Sequence, residues 1–140
     1  MGRSVSRIYL DACVIIYLVE GTEPFRTSLV QELAPHLQEV GTTLHTSLLS
    51  RLECRVKPLR AADARLLAAY DAFLAQQDLL VVPLTSSVID GATELRSRQG
   101  FKTPDAIHLA TAITERADLF LTGDGNLAKC EGLNVQVVSG

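Results

Sequence analysis

The feature that most constrains the fold is an alternation, along the whole chain, of short β-rich apolar runs with longer segments of helical period. Strands that are joined through helices pair in parallel, and a parallel sheet is normally covered by helices on both faces. The pattern therefore predicts an α/β fold with three layers. The predicted strands are Arg7 to Leu10, Thr43 to Thr46, Leu79 to Leu84, Leu119 to Thr122 and Val135 to Val138.

Helical periodicity fills the segments between these runs. The clearest helix is predicted from Thr103 to Ala117, with Thr103 as its N-cap and Pro104 at its first position. Pro35 interrupts an earlier apolar stripe and is expected to kink or split that helix. The residues expected to face the core are Phe25, Leu29, Leu33, Leu37 and Val40; Leu66, Tyr70, Phe73 and Leu74; Val88, Ala92 and Leu95; and Ala106, Leu109, Ala110, Ile113 and Ala117.

Length and composition indicate one globular domain, residues 1–140, with an ordinary hydrophobic content of 47%. The 13 basic and 16 acidic residues give a net charge of −3, so no overall basic field attracts nucleic acid and any such binding must use local patches. The three cysteines have no C-x-x-C spacing, which argues against a disulfide framework and a thiolate zinc site and suits a reducing cytosol.

The start of the chain superficially imitates a signal peptide, because Arg3 and Arg7 precede the apolar run from Ile8 to Val19. Asp11 interrupts that run, and no small-residue cleavage site follows it. No apolar stretch is long enough to span a membrane. The sequence therefore predicts a cytoplasmic protein without a membrane partner.

Four acidic residues are predicted to meet at one edge of the sheet. Asp11 ends the first strand, and Asp124 follows the end of the fourth strand by two residues. Glu53 lies early in the helix that leaves the second strand, while Asp105 lies in the first turn of the helix that leads into the fourth. These positions all fall at the carboxyl edge, where open α/β sheets place their sites.

Such a cluster predicts a metal site, because crowded carboxylates repel one another unless cations lie among them. Hard divalent ions prefer oxygen ligands, so Mg²⁺ or Mn²⁺ fits, and the absence of a His/Cys cluster argues against zinc. Bound ions of this kind promote phosphodiester hydrolysis. The acids therefore predict a metal-dependent nuclease.

Each acid also has an ordinary explanation. Glu53 could be a solvated helix residue, and Asp105 could simply stabilise the first turn of its helix. Asp11 is harder to explain in this way, because it interrupts sequence that is otherwise buried. His108, three residues after Asp105, is interpreted as lying on the flank of a packed helix in preference to ligating a metal.

A basic cluster surrounds Glu53 and consists of Arg51, Arg55, Lys57 and Arg60. These side chains either contact nucleic-acid phosphates or form a solvated helix face. Aromatic residues make up only 5% of the chain, which favours recognition of nucleic-acid shape or backbone over extensive base stacking.

Together these motifs resemble the PIN-domain ribonucleases, most closely the VapC-type toxins of bacterial and archaeal toxin–antitoxin pairs. The similarity is spread over most of the chain and keeps the family's order and spacing. The matching segments are Tyr9 to Leu18, Ser47 to Glu53, Lys102 to Ala112 and Phe120 to Asp124. Two positions depart from the family's pattern: Ala12-Cys13 replaces a frequent Thr-Ser or Thr-Asn, and Gly123 replaces a frequent Asn.

The resemblance implies a five-stranded parallel sheet in the order 3-2-1-4-5 and Mg²⁺- or Mn²⁺-dependent endoribonuclease activity on an RNA substrate. It also implies a homodimer that is inhibited by a small cognate antitoxin. Asp11, Glu53, Asp105 and Asp124 would be the catalytic and metal-binding acids, and Thr122 would position Asp124 or a water. The partner would insert an Arg or Lys into this cluster and cover apolar surface, for which the segment from Val14 to Leu37 is the candidate.

Two other functions stay open at this point. One is a catalytically inactive PIN-like binding module, which a metal-dependent cleavage assay distinguishes from an enzyme. The other is a receiver-like phosphotransfer domain with Asp11 as phosphoacceptor, although neither the lysine nor the adjoining second acid that such a domain uses is apparent.

Overall fold

Five short parallel strands form the centre of the structure, a computed structural model that describes residues 5–139. They are β1 (Arg7–Leu10), β2 (Thr43–Ser47), β3 (Leu79–Val82), β4 (Leu119–Thr122) and β5 (Val135–Val137). Every hydrogen-bonded strand pair is parallel, and the order across the sheet is β3-β2-β1-β4-β5. The expected architecture and strand order are therefore confirmed. Arg3 of the signal-like start lies outside the described residues.

Helices cover both faces of this sheet. They are α1 (Ala12–Glu20), α2 (Phe25–Leu37), α3 (Leu49–Arg60), α4 (Ala64–Leu74), α5 (Ser86–Gln99) and α6 (Thr103–Thr114), with a short 3₁₀ helix at Gly125–Lys129. Ile8 and Leu10 of β1 pack with residues of α1, α2 and α4, whereas Tyr9 packs with residues of α5 and α6. The alternation of side chains along a strand thus gives β1 two cores, one on each face.

The apolar run from Ile8 to Val19 contains two elements, of which only the strand was predicted. Asp11 separates β1 from α1 and is the N-cap of that helix, accepting a hydrogen bond from the Ala12 amide. A continuous apolar run does not distinguish a buried strand from a buried helix, which is why α1 was missed.

Several helix limits also differ from the predictions. The helix α2 is continuous through Pro35 and ends two residues later, so Pro35 does not split it and Val40 lies outside the helix. In α6 the N-cap is Lys102 instead of Thr103, and the helix ends at Thr114, before the predicted limit. Ile113, expected in the core, is 41% exposed.

No helix within residues 5–139 is both long enough and apolar enough to cross a membrane.

Candidate active site

The carboxyl edge of the sheet brings the four predicted acids together from four different parts of the chain. Asp11 directly follows β1, and Asp124 lies two residues beyond β4. Glu53 lies on α3, which follows β2, and Asp105 lies in the first turn of α6. Burial is the largest cause of the raised pKa of Asp105, and the charges of Asp11, Asp124 and Glu53 raise it further, so these three carboxylates lie within electrostatic reach of Asp105.

Asp11 is the most firmly held of the four. Its side chain is buried, with Oδ1 2.8 Å from the Ala12 amide nitrogen and Oδ2 2.7 Å from the Thr122 hydroxyl. Both of these groups donate to the carboxylate. Its backbone amide donates to the Leu121 carbonyl at 3.0 Å, which extends the pairing of β1 with β4. Asp11 is thus fixed by the strand that precedes it and the helix that follows.

Thr122 connects two of the acids. Its hydroxyl donates to Asp11 and accepts a hydrogen bond from the Asp124 amide at 3.1 Å. Asp124 itself is exposed, and its Oδ1 accepts from the Asn126 amide at 2.9 Å, which caps the short 3₁₀ helix. The structure therefore links Thr122 to the backbone of Asp124 and also to the side chain of Asp11, a contact that the sequence did not reveal.

Glu53 is held by His108, a buried residue that sequence reasoning assigned only to the flank of a helix. His108 Nε2 lies 2.6 Å from Glu53 Oε1 and 3.6 Å from Asp11 Oδ1. On the other side of the ring, Nδ1 lies 2.7 Å from the Tyr9 hydroxyl. The available signal was the spacing of three residues from Asp105, which places both residues on the same side of α6.

The electrostatics of His108 and Asp105 reflect this crowding. Burial alone lowers the pKa of His108, but the hydrogen bond to Glu53 and the charges of Asp11, Glu53 and Asp105 outweigh it, and the net pKa is raised. Burial is also the largest cause of the raised pKa of Asp105, followed by the neighbouring carboxylates. The imidazole is thus a basic group within this acidic edge, and three of the four carboxylates raise its pKa.

The basic residues that were predicted to surround Glu53 lie on α3 but are mostly engaged elsewhere. Arg55 Nε is 2.9 Å from Asp71 Oδ1 and Arg51 Nη1 is 3.6 Å from the same oxygen. Lys57 Nζ is 3.5 Å from Glu20 Oε1. Arg60 is exposed and forms no ion pair within the described part of the chain.

A family model for the PIN domain matches residues 8–133, which include the entire acidic edge. The chain belongs to the PIN-domain family. Among curated protein sequences, none matches it.

Solved structures of a toxin and of toxin–antitoxin complexes share this fold. VapBC2 from Rickettsia felis, bound to a promoter DNA fragment, has a TM-score of 0.74 at 16% identity, covering 95% of this chain and 99% of that chain. A toxin–antitoxin complex from Klebsiella pneumoniae has a TM-score of 0.68 at 20% identity, covering 94% and 98%. VapC20 of Mycobacterium tuberculosis, a toxin described as cleaving the sarcin-ricin loop, has a TM-score of 0.69 at 17% identity, covering 86% and 92%.

One departure from the PIN-family pattern has a structural cause in this chain. A Cβ atom at position 123 would overlap the hydroxyl oxygen of Tyr17, so any larger residue there requires the tyrosine ring to shift. Tyr17 in turn stacks on Phe25, with ring centroids 4.7 Å apart and planes inclined by 15°. The tyrosine thus occupies the space into which an asparagine side chain would project.

The other departure, Cys13, places a thiol in contact with the acidic edge. The Gly123 amide donates to Cys13 Sγ at 3.2 Å, and the thiol lies 3.5 Å from Asp11 Oδ2. Burial and the charge of Asp11 raise the pKa of Cys13 to about 12, so the group is a neutral thiol at ordinary pH. It is a weak donor in the position where the family often has a hydroxyl or an amide.

The donor chemistry of this PIN edge fits hard divalent ions, since its four acids supply only oxygen ligands. The charge balance fits as well, because a cation would relieve the repulsion that raises the pKa of Asp105. Within residues 5–139, however, no three His, Cys, Asp or Glu side chains are gathered in the arrangement that ligates one ion. Binding therefore requires side-chain adjustment, for which exposed Asp124 and half-buried Asp105 have room.

Proposed function

We propose that this PIN-domain protein is a metal-dependent endoribonuclease and the toxin of a toxin–antitoxin pair. The observation that carries the proposal is the convergence of Asp11, Glu53, Asp105 and Asp124 from four elements, with three of these charges acting on the fourth. Such crowding is unfavourable for folding, and active sites are where proteins maintain it.

The residues that would hold Mg²⁺ or Mn²⁺ are these four acids. When bound, such an ion activates water and stabilises negative charge on a phosphodiester group. Thr122 keeps the carboxylate of Asp11 and the backbone of Asp124 in fixed relation. Asp11 would contribute a carboxylate that is already fixed, whereas Asp105 and Asp124 would have to move to reach an ion.

Basic residues of α3 are proposed to contact RNA phosphates beside the acids. Arg60 and Lys57 are the stronger candidates, because Arg51 and Arg55 are paired with Asp71. The exposed ion pair of Lys57 with Glu20 is weak and exchanges readily for a phosphate. Phosphate contacts of this kind position a nucleic acid without reading its sequence.

An inactive binding module is the second candidate function. The observation in its favour is that the described acidic side chains are not arranged as ligands of one ion. A phosphotransfer role for Asp11 has less support, because both of its carboxylate oxygens accept hydrogen bonds and its side chain is buried.

Cleavage of RNA by the purified chain distinguishes the first two functions. We expect cleavage with Mg²⁺ or Mn²⁺, none in EDTA, and only traces with Zn²⁺. Cleavage that persists in EDTA and leaves 2′,3′-cyclic ends would reject the metal mechanism. RNA binding without cleavage in every metal would instead support the binding module.

An inhibitory protein partner is part of the proposal, since an active ribonuclease would harm its own cell. A basic side chain inserted among the acids would compete with the metal. The candidate apolar surface from Val14 to Leu37 is reduced in the structure, because Val14, Ile15, Leu29 and Leu33 are buried in the core. We expect impaired growth when the chain is expressed alone and normal growth when the product of a neighbouring upstream reading frame is co-expressed.

A second copy of this chain is the proposed occupant of an apolar groove on α3. The groove measures about 570 Å³, and its apolar lining residues are all more than one third exposed apart from Leu49. These residues are Leu48, Leu49, Leu52, Val56, Leu59 and Leu84. Arg51 and Arg55 also line the groove and pair with Asp71 beside it, and a surface that carries both charges in this way can meet its own copy across a twofold axis.

Solution mass tests this surface. We expect a dimer for the wild-type protein and a monomer for Leu52→Glu. Ile89→Glu is the matched control, because Ile89 is comparably exposed on α5 but does not line the groove. A monomeric wild type, or a dimer that survives Leu52→Glu, would reject the α3 interface.

A further inference from the structure

The four acids differ in how they are held, and Glu53 depends on a single side chain. Asp11 accepts hydrogen bonds from a backbone amide and from Thr122, and Asp124 accepts one from a backbone amide. Among the described residues, Glu53 has only His108 as a hydrogen-bond partner. A glutamate side chain also has more rotatable bonds than an aspartate, so this one contact decides where its carboxylate lies.

We propose that His108 is a positioning residue that holds the Glu53 carboxylate at the acidic edge in the orientation needed for the metal. This inference rests on the proposed function, because it assumes that Glu53 is a metal ligand. It concerns a residue outside the set of acids and assigns it no direct contact with the ion.

The imidazole is suited to this task because a hydrogen bond on the opposite side of the ring holds it in place. Tyr9 on β1 bonds Nδ1 at 2.7 Å, and its ring stacks on Phe120 of β4 with centroids 5.0 Å apart. Burial and the charge of Asp11 raise the pKa of Tyr9, so its hydroxyl keeps its proton. The chain of contacts from Tyr9 through His108 to Glu53 therefore joins β1, α6 and α3 at the site.

The hydrogen-bond roles follow from the chemistry of the groups. A carboxylate only accepts, so His108 Nε2 carries the proton and donates to Glu53 Oε1. The second oxygen of Glu53 makes no hydrogen bond within residues 5–139, which leaves it available to a hard ion. Carboxylates that bind metal ions are usually held by hydrogen bonds from neighbouring groups, and His108 would be such a neighbour of Glu53.

Two substitutions at position 108 test the hydrogen-bond donor and the aromatic ring separately. His108→Phe keeps a ring in the core but removes the donor, whereas His108→Gln keeps an N–H group near the position of Nε2. We expect Mn²⁺ affinity, measured by calorimetry on metal-free protein, to fall roughly 10- to 100-fold in His108→Phe and to be largely retained in His108→Gln. Tyr9→Phe removes the anchoring hydroxyl and is expected to weaken Mn²⁺ binding by less than His108→Phe.

The matched control is His45, the other buried histidine, which lies on β2 and bonds Thr43 instead of an acid of the site. His45→Phe is expected to change thermal stability but not Mn²⁺ affinity. A double-mutant cycle then tests whether His108 affects Mn²⁺ binding through Glu53. In a Glu53→Gln background, His108→Phe is expected to cause no further loss of Mn²⁺ affinity.

The outcomes separate this inference from the proposed function. Mn²⁺ binding that is lost in Asp11→Asn but unchanged in His108→Phe would overturn the positioning role alone, as would an undiminished His108→Phe effect in the Glu53→Gln background. A wild-type chain that binds no Mn²⁺ would overturn both proposals. If His108→Phe does not fold, His108→Leu, which also lacks the donor, takes its place, and wild-type Mn²⁺ affinity in that variant overturns the positioning role.

Discussion

Two buried histidines have similar neighbours but opposite electrostatic behaviour. His108 contacts Glu53 and the Tyr9 hydroxyl at the carboxyl edge of the sheet, while His45 contacts Glu115 and the Thr43 hydroxyl at the amino edge. The pKa of His108 is raised, whereas the pKa of His45 is lowered. A histidine next to a glutamate is therefore not in itself a sign of a functional site.

The difference lies in geometry and in the surrounding charge. His108 Nε2 is 2.6 Å from Glu53 in a hydrogen bond, and further carboxylates surround it. His45 Nδ1 is 3.4 Å from Glu115 without a hydrogen bond, and the nearby charge of Arg7 adds to the effect of burial. Acids concentrate at the carboxyl edge, whereas the amino edge mixes Arg7, Arg116 and Glu115 around an open cavity.

The largest expected effect is on RNA cleavage, and it compares substitutions at the carboxyl edge with one at the amino edge. Asp11→Asn or Asp105→Asn should reduce RNA cleavage at least roughly 100-fold, because a metal ligand is lost. Glu115→Gln, at the amino edge, should leave cleavage unchanged. Initial rates of cleavage under saturating Mg²⁺ measure both.

Full activity in Asp11→Asn, with the metal response of the wild type, would show that the carboxyl edge is not the site of cleavage. The metal-free Asp105→Asn protein should also be at least as stable as the wild type, since neutralising Asp105 removes repulsion from three carboxylates. A marked loss of stability in that variant would show that Asp105 has a structural role instead.

A smaller effect is expected from packing at the carboxyl edge. Gly123→Ala should displace Tyr17 from Phe25 and lower stability by about 1 kcal/mol, the usual worth of such an aromatic pair. Gly125→Ala is the matched control, because a Cβ there meets nothing within 4 Å. Denaturant unfolding measures both variants, and equal stability would show that Tyr17 moves aside without cost.

The smallest effect is a pH dependence of stability from the amino edge. Burial lowers the pKa of His45 in the folded protein, while Glu115 opposes and Arg7 reinforces that change. Below the unfolded value of about 6.5, the unfolded chain therefore takes up a proton more readily than the folded one. Stability is lost as the pH falls from that value toward the folded pKa.

Replacing the titrating group isolates this contribution. His45→Gln should flatten the decline in stability below about pH 6.5 relative to the wild type. Thermal unfolding in EDTA at several pH values measures it, with His36→Gln, a histidine outside the core, as control. A steeper acid decline in His45→Gln would mean that the protonated imidazole is favoured through Glu115.

The sequence predicted the sheet and the location of the acids because both follow from short-range patterns. Strand runs and helical periods are local, and parallel topology places Asp11 and Asp124 at one edge once the strands are known. The helix α1 was missed because its residues are as apolar as those of β1. The end of α6 was misplaced because the break at Arg116, with φ of 55°, has no glycine or proline to mark it.

The contacts that hold the side chains of the site could not be predicted from the sequence, because they join residues that are far apart in the chain and depend on side-chain geometry. Tyr9 and His108 are 99 residues apart, and no pattern indicates that their side chains meet. Likewise, the advantage of glycine at position 123 depends on the orientation of the Tyr17 ring. Residue type predicted the class of chemistry, while the partners of Glu53 required the structure.

The most direct test of the account is the location of Mn²⁺ by anomalous diffraction from crystals of the wild-type chain. The account predicts a peak among the carboxylates of Asp11, Glu53, Asp105 and Asp124, with His108 still bonded to Glu53. It also predicts that Asp11→Asn crystals lack the peak. The absence of a peak at this edge in the wild type, or a peak only at the amino edge near His45 and Glu115, would contradict it.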